Sequence, residues 1–115
     1  MAESDTQPIL VESGMSVHTC RSGDGAELTI SVDGRFDFTV HEDFRLASEN
    51  AATPAARYVV DLSHAEYVDS SALGMLLLLR EHAGRTTRRV SIRNARPHVE
   101  RVLTVANFHK LFVMA

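Results

Sequence analysis

The chain has 115 residues, 44% of them hydrophobic and 23% charged, with a formal net charge of −3. That length fits one domain with its own core, and the balance excludes disorder, a collagen-like repeat and a coiled coil. Cys20 is the only cysteine, which excludes an internal disulfide and a cysteine-based zinc site, and no apolar run approaches the ~20 residues that span a bilayer.

The first segment, residues 1–14, mixes Glu, Ser, Asp, Gln, Pro and Gly without periodicity and reads as a flexible N-terminal arm ahead of a domain over 15–115. It holds no basic region followed by an apolar core, so no secretory signal is expected and the cytoplasm is the expected location. Residues 16–21 and 27–33 alternate apolar and polar side chains around Ser22-Gly-Asp-Gly25, which predicts a β-hairpin. Cys20 falls in the first of these strands and reads as a small core residue. Gly34-Arg-Phe-Asp37 ends the second strand. Thr39-Val-His-Glu42 matches a capping box and predicts a helix over about 40–50, released by the loop around Pro54.

Tyr58 to Leu62 is a β-branched and aromatic run, hence a buried strand. Asp69-Ser70-Ser71 then has the composition of a helix start. At 100° per residue, Leu73, Leu76, Leu77 and the stem of Arg80, with Ala72, Leu79 and Ala83 beside them, fall on the side expected to face the sheet. Ser71, Met75, Leu78 and His82 fall opposite, an apolar line on a face expected to be wet. That line reads either as a protein-docking stripe or as a helix partly covered by a neighbour. Gly84 suits the position after the helix, and Arg85 to Arg89 a basic turn. Val90 to Asn94 reads as a strand, and Pro97 as the first turn of a third helix burying Val99, Val102 and Leu103. Asn107 can end that helix in a left-handed conformation, leaving Leu111 to Met114 as a short strand. The predicted order is β-β-α-β-α-β-α-β: an α/β fold with a hairpin first, strand-helix alternation afterwards, and a mixed sheet covered by helices.

Charge is lopsided along this order, with 13 acids against 4 bases in residues 1–69 and 8 bases against 2 acids in residues 70–115. The bases are not interleaved with aromatics and the domain is acidic overall, so solvated faces and pairing are expected, and no direct contact with nucleic acid. The six histidines include no pair at i, i+3 or i, i+4, so no metal is expected. No nucleophile elbow, Walker loop or dinucleotide fingerprint occurs. Asp37 and Asp69 can meet near Ser70 if their strand ends share an edge, but a serine with two acids and no placed base is not a triad. No enzyme and no cofactor are expected. Two roles remain open for the adjacent hydroxyls: one of them caps the helix, or one of them carries a phosphoryl group that the helix N-terminus tolerates.

Asp61-Leu-Ser63 followed by Tyr67-Val-Asp-Ser-Ser-Ala-Leu-Gly74 resembles the signature of STAS domains, in particular the bacterial anti-sigma factor antagonists. Gly34-Arg-Phe-Asp37, Pro97-His-Val-Glu-Arg-Val-Leu103 and Phe108-His-Lys-Leu-Phe112 extend the resemblance over roughly residues 16–114. It implies the STAS fold and partner switching. An unphosphorylated antagonist binds an anti-sigma factor/serine-protein kinase, phosphorylation releases it, and a PP2C-type serine phosphatase restores it. The family's phosphoacceptor aligns with Ser70, with Ser71 adjacent, and Asp37 matches an acid kept near it. Ala72 departs from the glycine of many members. The partner surface implied is Asp37, Asp69, Ser70, Ser71, Met75, Leu78 and His82. The alternative within the family is a non-phosphorylated STAS scaffold subunit of a membrane transport (ABC or lipid-trafficking) complex, itself without membrane insertion.

Overall fold

The computed structural model describes residues 7–9, 16–49, 55–84 and 89–115, with the backbone alone for Gln7–Ile9 and Glu49. In chain order the strands are β1 (Gln7–Ile9), β2 (Val17–Arg21), β3 (Glu27–Val32), β4 (Gly34–Phe36), β5 (Arg57–Asp61), β6 (Ala65–Val68), β7 (Val90–Arg93) and β8 (Val113–Met114). The helices are α1 (His41–Glu49), α2 (Ser70–His82) and α3 (Pro97–Val105), with 3-10 turns at Phe38–Val40 and Phe108–Lys110. Six strands form one sheet in the order β1-β2-β3-β5-β7-β8, and β4 pairs with β6 in a second, two-stranded sheet.

The predicted hairpin is present: β2 and β3 pair antiparallel from Val17 opposite Val32 to Arg21 opposite Leu28. Gly25 adopts φ 77°, the positive value a turn of this kind needs. Leu28, Ile30 and Val32 alternate into the core, as a strand with one covered face should. β3 and β5, β5 and β7, and β7 and β8 all pair parallel, so the strand-helix alternation became parallel neighbours in a mixed sheet. β5 buries Tyr58, Val59 and Val60 in succession, which matches its unbroken apolar run.

Several expectations are corrected. Gln7–Ile9 is not part of a loose arm but pairs antiparallel with β2, and Cys20 is half-buried rather than a core residue. The remaining residues of that arm, the loop around Pro54 and the basic turn at 85–88 lie outside the described residues. Gly34-Arg-Phe is a strand of its own: Gly34, at φ 73°, turns the chain out of β3, and its amide donates to the His64 carbonyl at 2.8 Å. Its partner β6 follows an Asx turn in which the Ser63 amide donates to Asp61 Oδ1 at 2.9 Å. Thr39 is not a capping-box residue. Asp37 caps the 3-10 turn, accepting from the Thr39 amide at 3.0 Å and from the Thr39 hydroxyl, and α1 grows out of that turn.

Helix α2 is rotated from the expected orientation. Ala72, Met75, Leu76, Leu79 and Ala83 are buried, an arc about 100° wide, while Leu77 and Leu78 are 39% and 61% exposed. With six apolar residues between Leu73 and Leu79, two faces were available to the core. The choice falls to α1, whose Phe44 and Ser48 line a groove with Met75, Leu78 and Leu79. In α3, Val99 and Leu103 are buried as expected, but Val102 is 38% exposed. Gly84 at φ 105° and Asn107 at φ 66° occupy the left-handed positions expected after α2 and α3.

Among the described basic residues of the second half, Arg80, Arg89, Arg93 and Arg96 are tied down inside the fold. Arg80 Nε donates to the Leu111 carbonyl at 3.2 Å, Arg96 Nε to that of Ser63 at 3.1 Å and Arg89 to that of Ala83 at 3.4 Å, while Arg93 lies 3.7 Å from Glu27. Of these, the contacts of Arg93 and Arg96 cross between the two halves of the chain, and Arg93–Glu27 pairs opposite charges.

Candidate functional site

The small parallel sheet explains why the candidate residues come together. Phe36 and Val68 are register partners and both point into the core, so the next residues, Asp37 and Asp69, emerge side by side at one edge. Their backbones are nearly superimposable, with φ −138°, ψ −167° at Asp37 and φ −131°, ψ −171° at Asp69. Each is an N-cap. Asp69 Oδ1 accepts from the Ala72 amide at 3.1 Å, and the Leu73 amide donates to the Asp69 carbonyl at 3.1 Å. Strand, capping aspartate and helical turn thus occur twice in parallel, 32 residues apart in sequence.

The cap of α2 is therefore Asp69, and neither serine fills that role. Ser70 and Ser71 are the first two residues of the helix, Ser70 exposed and Ser71 half-buried. No side-chain hydrogen bond engages either hydroxyl among the described residues. The amides of the first helical residues have no partner within the helix, and they carry the positive end of its dipole. A hydroxyl that is exposed, unbonded and free of capping duty is available to an enzyme from outside.

Asp37 is held more tightly than its twin. Besides the two bonds from Thr39, it accepts from Arg35 Nε at 3.1 Å, and its side chain is only 12% exposed. The Thr39 hydroxyl first, then the Thr39 amide and the Arg35 guanidinium, hold its carboxyl below the ordinary value of 3.8. A carboxyl depressed in the folded state contributes stability that is present above its unfolded pKa and is lost as pH falls through the folded one. Thermal unfolding followed from pH 5 to pH 2 is expected to show a shallower fall in Tm for Asp37→Asn than for the wild type. Parallel curves would mean that these bonds add nothing to stability.

Not all candidate residues reach the surface. Met75, expected on the exposed line, is 4% exposed and lies in the seam between α1 and α2, so it cannot touch a partner directly. Leu78 is exposed beside it. His82 is exposed at the far end of α2, roughly 18 Å from Ser70 along the axis, edge-on to the Tyr58 ring at 6.0 Å. The site that remains is Asp37, Asp69, Ser70 and Ser71 at the helix mouth, with Leu78 two turns on.

Three features were missed. Phe38, the residue after Asp37, is 69% exposed and stacks on His41 at 5.4 Å. Arg35 sits over the Tyr67 ring at 4.3 Å. His41 and Arg45 join Leu78 around the α1/α2 groove, whose volume is about 90 Å³. That volume is well below the ~300 Å³ at which small-molecule sites begin. A signal for Phe38 existed in the sequence: it takes the place in Asp37-Phe-Thr that Ser70 takes in Asp69-Ser-Ser. Among the described residues, no three His, Cys, Asp or Glu side chains could hold a metal ion, and no helix is long and apolar enough to cross a membrane.

A mixed sheet flanked by helices, with a capped helix mouth presenting an exposed serine, defines a small α/β domain. Residues 21–114 match the family described as "Mlab, STAS domain", and the chain belongs to the STAS domain family. It is 53% identical over 98 residues to a STAS-domain containing protein of Pseudomonas aeruginosa (strain UCBPP-PA14), an alignment covering 85% of this chain and 97% of that protein. Its fold is similar to that of the anti-sigma factor antagonist SpoIIAA in its unphosphorylated form, with a TM-score of 0.62 and 17% identity over 96% of this chain and 86% of that one. It is also similar to the SulP transporter STAS domain from Vibrio cholerae, with a TM-score of 0.57 and 18% identity over 74% and 70% of the two chains.

Proposed function

We propose that this chain is an anti-sigma factor antagonist that works by partner switching, with Ser70 as the switched residue. The observation that carries the proposal is the assignment of the α2 cap to Asp69, which leaves Ser70 exposed and without a structural task. In the unmodified state the helix mouth and Leu78 bind an anti-sigma factor that is also a serine kinase. That kinase moves the γ-phosphoryl group of ATP to Ser70 Oγ. The β–γ P–O bond breaks, ADP leaves, and the hydroxyl proton passes to a base on the kinase. A charge of about −1.5 to −2 then stands beside Asp37 and Asp69 on the contact surface and releases the partner. A PP2C-type serine phosphatase restores the hydroxyl by transferring the phosphoryl group to water. The domain itself performs no chemistry and works in the cytoplasm.

Incubation with the cognate kinase and ATP, followed by phosphopeptide mapping, is expected to place the label on Ser70 and to find none in Ser70→Ala. Label confined to other residues, Ser71 included, would discard Ser70 as the switch.

The likeness to a SulP transporter STAS domain favours a second reading, in which the chain is a scaffold subunit of a membrane transport complex and Ser70 is never modified. Proteins recovered with Ser70→Ala separate the two: transport subunits from the membrane fraction support the scaffold, and a soluble serine kinase supports the switch.

A further inference from the structure

The outward face of the two-stranded sheet holds a cation that the switch as described does not use. Arg35 in β4 and Tyr67 in β6 are register partners, and the Arg35 guanidinium lies 4.3 Å from the centre of the Tyr67 ring. Its Nε donates to Asp37 Oδ2 at 3.1 Å, while its two terminal nitrogens donate to no described residue. The side chain is 65% exposed. An arginine held by one nitrogen and one ring keeps most of its donor fork turned to solvent, and that fork matches a phosphoryl group in shape and charge.

Its position matches as well. Side chains two apart on a strand share a face, so Arg35 and Asp37, and likewise Tyr67 and Asp69, project away from buried Phe36 and Val68. Tyr67, the register partner of Arg35, stands three residues before Ser70, and neighbouring strands lie ~4.8 Å apart, so the Nε bond that draws the guanidinium along the sheet towards Asp37 also draws it towards the mouth of α2. A phosphoryl group there meets two carboxylates at the helix mouth, Asp37 and Asp69. Each aspartate is already committed as a cap, so neither can move away from the new charge.

We infer that Arg35 is the positioning residue for phosphorylated Ser70. Its terminal nitrogens turn to the phosphoryl oxygens while the ring contact to Tyr67 persists, and Asp37 stays in place on its two bonds from Thr39. This inference rests on Ser70 being the modified residue. It adds to that reading an internal receptor that offsets part of the phosphoryl charge and fixes how the group is presented to the phosphatase and to the released partner.

The test uses the full chain with phosphoserine installed at position 70 during synthesis through an expanded genetic code, so that no kinase has to choose the site. Phosphorus NMR titration between pH 4 and pH 8 is expected to place the second ionisation of the phosphate about 0.5 unit lower in the wild type than in Arg35→Gln, with Arg35→Lys between them. Matching far-UV spectra and Tm values for the three chains would exclude a folding effect. Coincident titration curves for wild type and Arg35→Gln would overturn the role of Arg35, and the identity of the switch residue would then still rest on the mapping experiment alone.

Discussion

Met75→Asp is expected to lower Tm by about 20 °C and to leave the domain largely unfolded at 37 °C, whereas Leu78→Asp, three residues on, is expected to stay within about 2 °C of the wild type. Met75 is 4% exposed and sits against the seam lined by Phe44, Ser48 and Leu79. Replacing it removes the methionine's share of core packing, about 2–5 kcal/mol for truncation alone, and puts a carboxyl where the lining is mostly apolar. A domain of this size holds only ~5–15 kcal/mol of stability. Leu78 points out and is 61% exposed, so a carboxylate there stays hydrated. Circular dichroism melts of the two variants decide it. A Met75→Asp melt within 3 °C of the wild type would place Met75 on the surface after all, and a collapsed Leu78→Asp would mean that the groove is closed in solution.

This contrast follows from a rotation that the apolar pattern of α2 did not determine. The helix itself was legible: Asp69 ahead of an apolar periodic run is a start signal, and Gly84 is a stop signal. Strand β5 was legible because Tyr58-Val-Val60 is an aromatic and β-branched run. What the run from Leu73 to Leu79 lacked was contrast, since leucines on both faces make two core orientations equally good. Packing against α1, a contact between segments some thirty residues apart, settled the matter. Pairing at a distance also hid β4 and β6. Neither is long enough to show a period, Ala65-Glu-Tyr-Val68 buries only its two ends, and each strand exists through hydrogen bonds to the other. The twin arrangement of Asp37 and Asp69 depends on that pairing. The sequence could suggest that the two acids meet only on the condition that their strand ends share an edge, and the register of Phe36 with Val68 meets that condition. The capping box at Thr39 failed for a related reason. Asp37, a stronger local acceptor two residues earlier, takes the same amide and starts a 3-10 turn first.

Ser70→Asp is expected to weaken binding to the cognate anti-sigma factor tenfold or more while leaving Tm unchanged or slightly raised, and Ser70→Ala to bind as tightly as the unmodified wild type in the presence of kinase and ATP. The two effects of the aspartate have opposite signs because they act on different things. Within the domain, an acid in the first turn of α2 lies at the positive end of the helix dipole, which favours it by about 0.3–1 kcal/mol at an exposed position. At the contact surface the same charge joins Asp37 and Asp69 and must be desolvated or repelled when a partner closes over it, and 1.4 kcal/mol of such cost already amounts to a factor of ten in affinity. Titration calorimetry and a thermal melt on the same preparations read both quantities. Leu78→Asp supplies the comparison: it changes the surface two turns away without touching the mouth, so a loss of affinity there marks how far the contact extends along α2. Equal affinity for wild type, Ser70→Asp and Leu78→Asp would remove the helix mouth from the partner surface. A fall in Tm for Ser70→Asp would instead mean that the charge damages the fold, and loss of binding could then no longer be read as switching.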